Sequence, residues 1–563
     1  MKKLLAILLA VCVMFGCTAC GSQGEVIDET KTQVYVSHFN GGYGSEWITQ
    51  MKQRFEAKYA GVSFEEGKSG VQVVISNHKT LGDALDFNTS DDYVFFLESN
   101  DYNTQALSAQ PEIIDITDVV TGTFDINNVA GYENVPDIDD AEKNIISMFN
   151  ETQVEALNLG TATEPAYYAV PWYEGFYGFS YDAKIFNEYN LFLDEDGVVG
   201  CKDTDTNLSK GPDNVSGTYD DGLPATYEEF FYLCEEMTNL GITPMVFSGA
   251  HQFYITNAIN ALITDNKGVA KERLSYDYNG STEIIDKINE DGSFTTKTVE
   301  INNENGYLLF KQPAHYYGMQ FLERLIRDNN GTYMYGNNFT DSYSQTQAQN
   351  NFLEANLRSD VADIAILAEG IWWVNEASTK FASLEQNYEN ASKQTKDVRF
   401  MPLPKATAAE GDEARKLTLL ESQKSLMMIG SQVPEKYVPI SKLFVQFCNT
   451  LENVQLFTTL TNTPRALTYS MGDKLDDLSP FGKSIMQMKE DENTEVVYQF
   501  STNPLYAQNM TKFKKHETLA AFGYQYPSNA LKEKGDKTAK DMFNDIASRW
   551  ESNWVNNFGN YFN

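Results

Sequence analysis

The sequence predicts an α/β protein with a largely parallel sheet, and the N-terminal third supplies the observations behind this prediction. Residues 33–39 alternate polar and apolar side chains, as a strand does. Residues 47–59 carry apolar side chains at helical spacing, and 71–75 and 92–97 have strand composition. Alternating strands and helices indicate an α/β fold, whose ligands bind beyond the carboxyl ends of the strands.

The rest of the chain continues this alternation. Thr226 and Glu229 form a capping box before an apolar helical stretch, and Gly241 is placed to end that helix. The further predicted strands are 242–249, 398–404 and 425–429, the further helices are 316–327 and 438–451, and 362–373 is a strand, a turn and a helix start. Residues 191–222 and 265–305 are polar and predict peripheral insertions.

The first residues have the pattern of an export signal. Two lysines precede an apolar run from Leu4 to Phe15, and small residues lead to Cys20. Cys17-Thr18-Ala19-Cys20 resembles a bacterial lipobox, so we expect residues 1–19 to be removed, Cys20 to be lipidated and residues 20–32 to be a tether. The alternative is ordinary cleavage near Ala19, which would release a free protein. No later run of about 18 apolar residues predicts a membrane span.

Charge and cysteine content exclude several classes of protein. The formal net charge is −36, so a nucleic-acid partner, which needs a basic face, is not expected. Three cysteines lie in the leader and three beyond it, which does not suggest a disulfide framework. A content of 42% hydrophobic residues is sufficient for large cores.

Residues 171–182, PWYEGFYGFSYD, combine six aromatic residues, two glycines and Glu174. A buried strand usually prefers Val and Ile and avoids a charge. Aromatic rings beside a few polar groups are instead typical of small-molecule clefts. We found no Walker loop, G-x-S-x-G elbow or H-E-x-x-H helix, although a glycoside hydrolase carboxylate pair has no sequence signature to search for.

An ordered series of motifs resembles bacterial extracellular solute-binding proteins of family 1, the sugar-binding components of ABC importers. The series "Y-x-x-P … Y-N-K … P-x-T-W-x-E-F … G-I-x-P" is matched by residues 168–171, 176–182, 222–230 and 241–244, with Asp182 and Tyr227 as departures. The likeness continues through 369–372, 400–404 and 438–465, and extends over most of residues 33–470.

The resemblance implies a two-lobed fold of the periplasmic-binding-protein type (type II), similar to maltose-binding protein. Two α/β lobes would be joined by a hinge, with the ligand in the cleft between them. On this basis we assign 33–170 and 397–433 to lobe 1, and 171–396 and 434–563 to lobe 2. Residues 171–182 would cross between the lobes, with the first half lining the cleft and the second half entering the sheet of lobe 2.

Strand-end loops and this crossing segment supply the candidate ligand-binding residues. They are Ser37, His38, Asn40, Tyr43, Glu98, Asn100, Trp172, Tyr173, Glu174, His251, Gln252, Phe253, Glu369, Trp372, Trp373 and Arg465. Trp172 and Tyr173 would face a sugar ring, Glu174 would accept hydrogen bonds from hydroxyls, and Gly175 and Gly178 would give a hinge its backbone freedom.

Several candidates have a structural alternative. His38 and His251 fit structural loop positions equally well, and Glu98 fits a helix cap. Arg465 could bind an acidic sugar or pair with one of the many acids. Only one of Trp372 and Trp373 can face a ligand, because adjacent helical positions point apart, and Trp372 matches the family tryptophan.

The acidic insertion around residues 191–222 allows a calcium site at Asp203, Asp205, Asn207 and Asp213. The alternative is a solvated loop of Asx turns, and the spacing is not that of an EF-hand. No other cofactor is expected.

The function that the resemblance implies is capture of a carbohydrate, in particular an oligosaccharide, and its delivery to the transmembrane subunits of an ABC permease. The protein would be a monomer on the extracellular face of the cell membrane, held by its lipid anchor. The alternatives are a sugar-sensing surface lipoprotein without transport, a binding protein for a non-sugar solute and, with least support, a surface glycoside hydrolase.

Overall fold

The computed structural model describes residues 25–39, 42–78, 91–97, 102, 111–132, 134–411, 413–499, 501–507, 509, 531 and 537–562. Its strands are β1 Thr32–Phe39, β2 Val71–His78, β3 Val94–Leu97, β4 Ala169–Asp182, β5 Phe192–Leu193, β6 Val199–Cys201, β7 Thr243–Val246, β8 Gly280–Ile288, β9 Phe294–Ile301, β10 Ile364–Gly370, β11 Val398–Met401, β12 Leu417–Ile429 and β13 Thr494–Val497.

The α-helices are numbered in chain order over the same residues. They are α1 Glu46–Lys58, α2 Thr117–Val120, α3 Asp140–Lys143, α4 Glu151–Leu157, α5 Ala183–Tyr189, α6 Tyr227–Asn239, α7 Phe253–Lys267, α8 Val269–Asp277, α9 Pro313–Arg327, α10 Gln345–Glu354, α11 Trp373–Glu376, α12 Ser378–Glu385, α13 Val438–Cys448, α14 Leu451–Thr461, α15 Pro480–Glu490, α16 Pro504–Ala507 and α17 Ala539–Phe558. Within this part of the chain, none of the helices has the length and apolar character needed to cross a membrane.

The main sheet is mixed, whereas the sequence predicted a largely parallel one. Its order is β2-β1-β3-β12-β4-β10-β7, with β11 on β4 and β13 on β12. The β1–β2, β1–β3 and β10–β7 pairs are parallel, as predicted for α/β units. The two long strands carry the chain between the two ends of the sheet and are antiparallel to their neighbours. The strand β12 runs antiparallel to β3 and β4, and β4 also runs antiparallel to β10.

The strand β4 joins two lobes. Its first half pairs with β12 beside β3, and its second half pairs with β10 and β11. Residues 171–182 therefore enter the second half of the sheet, as predicted. Gly178 has no unusual φ; a Cβ there would lie 2.6 Å from Cζ of Phe400. The close Phe400 ring therefore explains why glycine occupies this position. The expectation was instead that glycine gives a hinge its backbone freedom.

The helices α13 and α14 pack on α1, whereas the predicted boundary assigns residues 434–563 to lobe 2. Phe444 lies edge-on to Phe55 of α1 at 5.0 Å, and Glu452 pairs with Arg54 at 2.6 Å. Because α1 belongs to lobe 1, residues 438–461 pack with lobe 1. An amphipathic pattern predicts a buried face but does not identify the surface that covers it.

The predicted start and end of α6 are both confirmed. Thr226 and Glu229 make both capping-box bonds at the start of α6, and Gly241 follows the helix with φ of +79°. Ser45 precedes α1 without a side-chain cap bond. The insertion 265–305 forms the end of α7, α8 and the β8–β9 hairpin, and 191–222 contains the small β5–β6 sheet.

Candidate functional site

The two lobes meet at a group of aromatic and polar side chains that we call the interlobe cluster. The loop after β1 supplies Tyr43, β4 supplies Tyr173 and Tyr177, and the strand–helix junction after β10 supplies Trp372. The remaining members are Phe253, Tyr254, Gln349, Glu369 and Glu376. The first four residues and Glu369 lie at strand ends and on the crossing strand, where α/β folds place ligands, and the other members lie on α7, α10 and α11.

Aromatic rings form the centre of the cluster. Tyr43 stacks on Tyr173 with 4.1 Å between ring centroids, and its hydroxyl donates to the carbonyl oxygen of Glu174 at 3.1 Å. Tyr177 meets Trp372 edge-on at 5.0 Å. Tyr43, Tyr173 and Trp372 expose only 3%, 3% and 5% of their surface. The structure therefore shows the two lobes in contact through these rings.

Gly42 brings the lobe 1 loop close to lobe 2. It has φ of +88°, and a Cβ there would lie 2.6 Å from Cδ1 of Trp372 and 3.1 Å from Oε1 of Glu376. Glycine is the residue that tolerates both this backbone conformation and this approach. The loop can thus touch α11 only because it has no side chain at this position.

Two buried carboxyl groups lie beside the rings. The Gln349 amide donates to Oε2 of Glu376 at 3.0 Å and approaches Oε2 of Glu369 at 3.5 Å, while the Gly370 N–H donates to Oε1 of Glu369 at 3.0 Å. Burial, and then the neighbouring Glu376, raise the pKa of Glu369 well above its ordinary value. Burial also raises the pKa of Glu376. The cluster thus favours uncharged carboxyl groups, which can both donate and accept hydrogen bonds.

The structure brings part of the predicted set to this cluster. Tyr43, Tyr173, Glu369 and Trp372 lie in it, and Phe253 lies at its edge, 40% exposed and 4.3 Å from Tyr254. His251 is exposed next to Phe253, at 5.8 Å, and Gln252 is buried at the start of α7. Asn40, Glu98 and Asn100, as well as Cys20, are outside the described residues.

Six predicted ligand residues are instead part of the protein interior. Ser37 and His38 are fully buried, with the His38 ring 5.0 Å from Trp47. Trp373 is buried and its indole N–H donates to Oγ of Ser180 at 3.1 Å, so it is the tryptophan that faces the core. The remaining three, Trp172, Glu174 and Arg465, form one buried unit.

In this unit Arg465 supports the crossing strand. Its guanidinium lies 3.4 Å from the centre of the Trp172 ring and donates to the carbonyl oxygens of Trp172 and Pro171 and to Oδ1 of Asn449. The partners of Arg465 in these contacts are an indole ring, two backbone carbonyl oxygens and an amide oxygen, so none of them is an acid. Glu174 pairs with Lys489 and accepts from the Tyr498 hydroxyl at 2.8 Å, so its carboxylate is committed to this pair.

The sequence reasoning missed Tyr177, Gln349, Tyr254 and Glu376. Tyr177 lies in the quoted aromatic stretch, and Glu376 is four residues after Trp372, which places both on one helical face. These two had a usable signal. Gln349 and Tyr254 come from separate helices, and only the tertiary contacts bring them to the cluster.

Two of the predicted calcium ligands, Asp203 and Asp205, have partners within the protein. In the described ranges, no group of three or more His, Cys, Asp or Glu side chains is arranged to hold a metal ion. Asp203 pairs with Arg399 at 2.9 Å, and Asp205 accepts from the Lys202 N–H at 2.9 Å. These contacts agree with the alternative of a loop that satisfies its own polar groups.

Comparison with known proteins identifies the fold. No protein-family model matches the sequence, and no curated protein matches it. The structure is similar to RafE in complex with raffinose, with 14% identity, a TM-score of 0.51 and coverage of 93% of this chain and 99% of that chain. The apo form of RafE from Streptococcus pneumoniae matches with 14% identity and a TM-score of 0.51, over 94% and 99% of the two chains.

A third similar structure is BlMnBP1 from Bifidobacterium animalis subsp. lactis, a binding protein of an ABC transporter in complex with mannobiose. It has 10% identity and a TM-score of 0.52, over 94% of this chain and 95% of that chain. The chain therefore has the two-lobed α/β fold of these three structures.

Proposed function

We propose that this chain is the extracellular substrate-binding lipoprotein of an ABC transporter, which captures a carbohydrate by closure of its lobes and delivers it to a membrane permease. The observation that carries the proposal is the interlobe cluster, where rings from both lobes meet beside buried polar groups. Its position matches the place where two-lobed proteins close on a ligand. An oligosaccharide suits a cluster with several separate rings.

The chemistry of the cluster supports a neutral, hydroxyl-rich ligand. The faces of Tyr43, Tyr173 and Trp372 can cover the C–H faces of sugar rings when the lobes open and close again. Glu369 and Glu376 offer hydrogen bonds to hydroxyl groups. A ligand with these contacts stabilises the closed state by its greater affinity for that state. In this proposal the chain binds its ligand without catalysing a reaction, and Cys20 carries the lipid.

A thermal-shift screen of residues 21–563 against mono- and oligosaccharides tests the ligand class. A ligand that binds only the folded protein raises the melting temperature by mass action. We expect a rise that depends on chain length within one glycan series. A shift with peptides, metal ions or phosphate, and none with any sugar, would contradict the carbohydrate assignment while leaving the fold unchanged.

The variant Trp372→Ala tests the site. For the sugar identified in the screen, we expect a loss of affinity of about tenfold or more, because a buried aromatic contact is removed. Phe294→Ala, on the β8–β9 hairpin, is the matched control and should bind normally. An equal affinity of Trp372→Ala and the wild type would show that the sugar binds elsewhere. Sugar products formed by the purified protein would support the hydrolase alternative.

A further inference from the structure

A second candidate site lies in a cavity of about 230 Å³ in lobe 2. Helices α7 and α8, the 3-10 turn Gly306–Lys311 and the C-terminal helix α17 enclose it. None of the interlobe cluster residues lines this cavity. The cavity is therefore separate from the interlobe cluster, and a ligand bound in it would not require the proposed function.

One wall of the cavity is aromatic and held in place. Phe310 stacks on Trp550 with 4.1 Å between centroids, and Trp554 lies edge-on to Tyr278 at 5.5 Å. The Trp554 indole N–H donates to the Asn303 carbonyl oxygen at 2.8 Å, which fixes the plane of the ring. Trp550 and Trp554 expose only 2% and 1% of their surface, so the half-buried Phe310 is the ring that presents apolar surface to the cavity.

The opposite wall is polar. Asn257 and Asn260 lie one turn apart on α7, and the Asn260 amide is 3.4 Å from Oδ1 of Asn257. Lys267 and Glu272 pair at 2.8 Å with side chains 4% and 8% exposed, and the Tyr276 hydroxyl donates to Oε1 of Glu272 at 2.9 Å. Opposite charges therefore cancel within this wall.

His315 also lines the cavity. It is half-buried, and desolvation of its ring lowers its pKa well below its ordinary value, so the imidazole is neutral at pH 7. The lining carries no net charge as a result. A charged ligand would have to be desolvated without a counter-charge, which is strongly unfavourable.

We propose that this cavity binds a single neutral sugar ring, a monosaccharide or a polyol of the same size. Its volume is below the roughly 300–1,000 Å³ of sites for larger ligands, and corresponds to about eight water molecules of liquid. A pyranose has an apolar C–H face for the Phe310 ring and hydroxyl groups for Asn257 and Asn260. A hydrocarbon would leave these amides unpaired.

The experiment is a calorimetric titration of residues 21–563 with glucose, galactose, mannose, xylose and N-acetylglucosamine. Each sugar that binds is repeated with Asn260→Leu, which removes the amide at similar volume, with Trp372→Ala in the interlobe cluster, and with Phe294→Ala, which lies outside both sites. We expect at least one sugar to lose about tenfold or more in affinity with Asn260→Leu. The same sugar should bind the control Phe294→Ala as it binds the wild type.

Three results would overturn the inference. They are no binding by any of the five sugars, binding that Asn260→Leu leaves unchanged, and binding that only Trp372→Ala weakens. The third result would still support the proposed function, so the two proposals fail separately. A crystal of the wild-type protein soaked with the bound sugar gives a check independent of variant folding, since the sugar must lie between Asn260 and Phe310.

Discussion

At the scale of single residues, Glu369 shows how this fold controls charge at its lobe contact. The carboxyl group is 2% exposed and lies near the Glu376 carboxyl group. The Gly370 N–H and the Gln349 amide stabilise it only in part. Its raised pKa makes the free energy of unfolding depend on pH, because the folded state binds the proton more tightly than the unfolded state does.

We predict that Glu369→Gln stabilises the protein at neutral pH and flattens its pH dependence. The folded-state pKa lies above the unfolded value of about 4.3, so the favourable contribution is complete below that value and is lost as pH rises through the folded-state pKa. The wild type should therefore lose stability as the pH rises above about 4.3 and through the folded-state pKa, by on the order of 1 kcal/mol or more from this group.

Urea unfolding at several pH values measures this effect. Glu300→Gln, at an exposed position of the β8–β9 hairpin, is the matched control and should follow the wild type. An unchanged pH slope for Glu369→Gln would mean that the folded protein holds Glu369 charged, contrary to the argument from burial.

At the scale of elements, the crossing strand β4 is fastened by a buried ion pair to α15. Glu174 of β4 and Lys489 of α15 are 0% and 4% exposed, and the Lys489 ammonium also donates to the Arg465 carbonyl oxygen at 3.0 Å. Tyr498 completes the group. The strand that joins the lobes is thus connected to a helix that follows it by about 300 residues.

We predict that Lys489→Met destabilises the protein by about 3–5 kcal/mol, since it leaves the Glu174 carboxylate buried without its partner. The double variant Glu174→Gln with Lys489→Met should recover most of this loss, because neither group is then charged. Denaturant unfolding of the three proteins gives the coupling energy.

The exposed pair Lys297–Asp286 provides the control for this prediction. Its atoms are 2.7 Å apart with side chains 56% and 51% exposed, so Lys297→Met should cost about 1 kcal/mol or less. If Lys489→Met has an equally small effect, water must reach the Glu174 carboxylate and the pair does not fasten the strand.

At the scale of the whole molecule, Gly42 sets how closely the lobes can approach. We predict that Gly42→Ala keeps both lobes folded but shifts the protein toward an open form, because the new Cβ would meet Trp372. Small-angle scattering should show a larger radius of gyration, and affinity for the sugar found by the thermal screen should fall.

Gly44→Ala is a well-matched control for this shift. Gly44 also has positive φ, +78°, but a Cβ there has no atom within 4 Å. Both variants share the backbone strain, and only Gly42→Ala adds the clash. Equal scattering curves for the two variants would show that Gly42 does not limit closure.

Much of this molecule follows from local patterns in the sequence. The alternation in β1, the capping box of α6 and the apolar spacing of α1 depend on neighbours within a few residues, and these elements form as predicted. The ordered motifs predicted the two-lobed fold and the crossing path of residues 171–182. Tyr43, Tyr173, Glu369 and Trp372 could be nominated because strand ends in α/β folds gather ligand residues.

Only the tertiary structure decided which aromatic and charged residues face the lobe contact and which lie in the core. Trp172 and Trp372 look alike in the sequence, yet Arg465 covers the first while Gly42 of the other lobe meets the second. The packing of α13 and α14 on lobe 1 and the Glu174–Lys489 pair likewise join segments far apart in the chain. Such contacts depend on where a buried face finds its partner, and residue type and spacing do not contain that information.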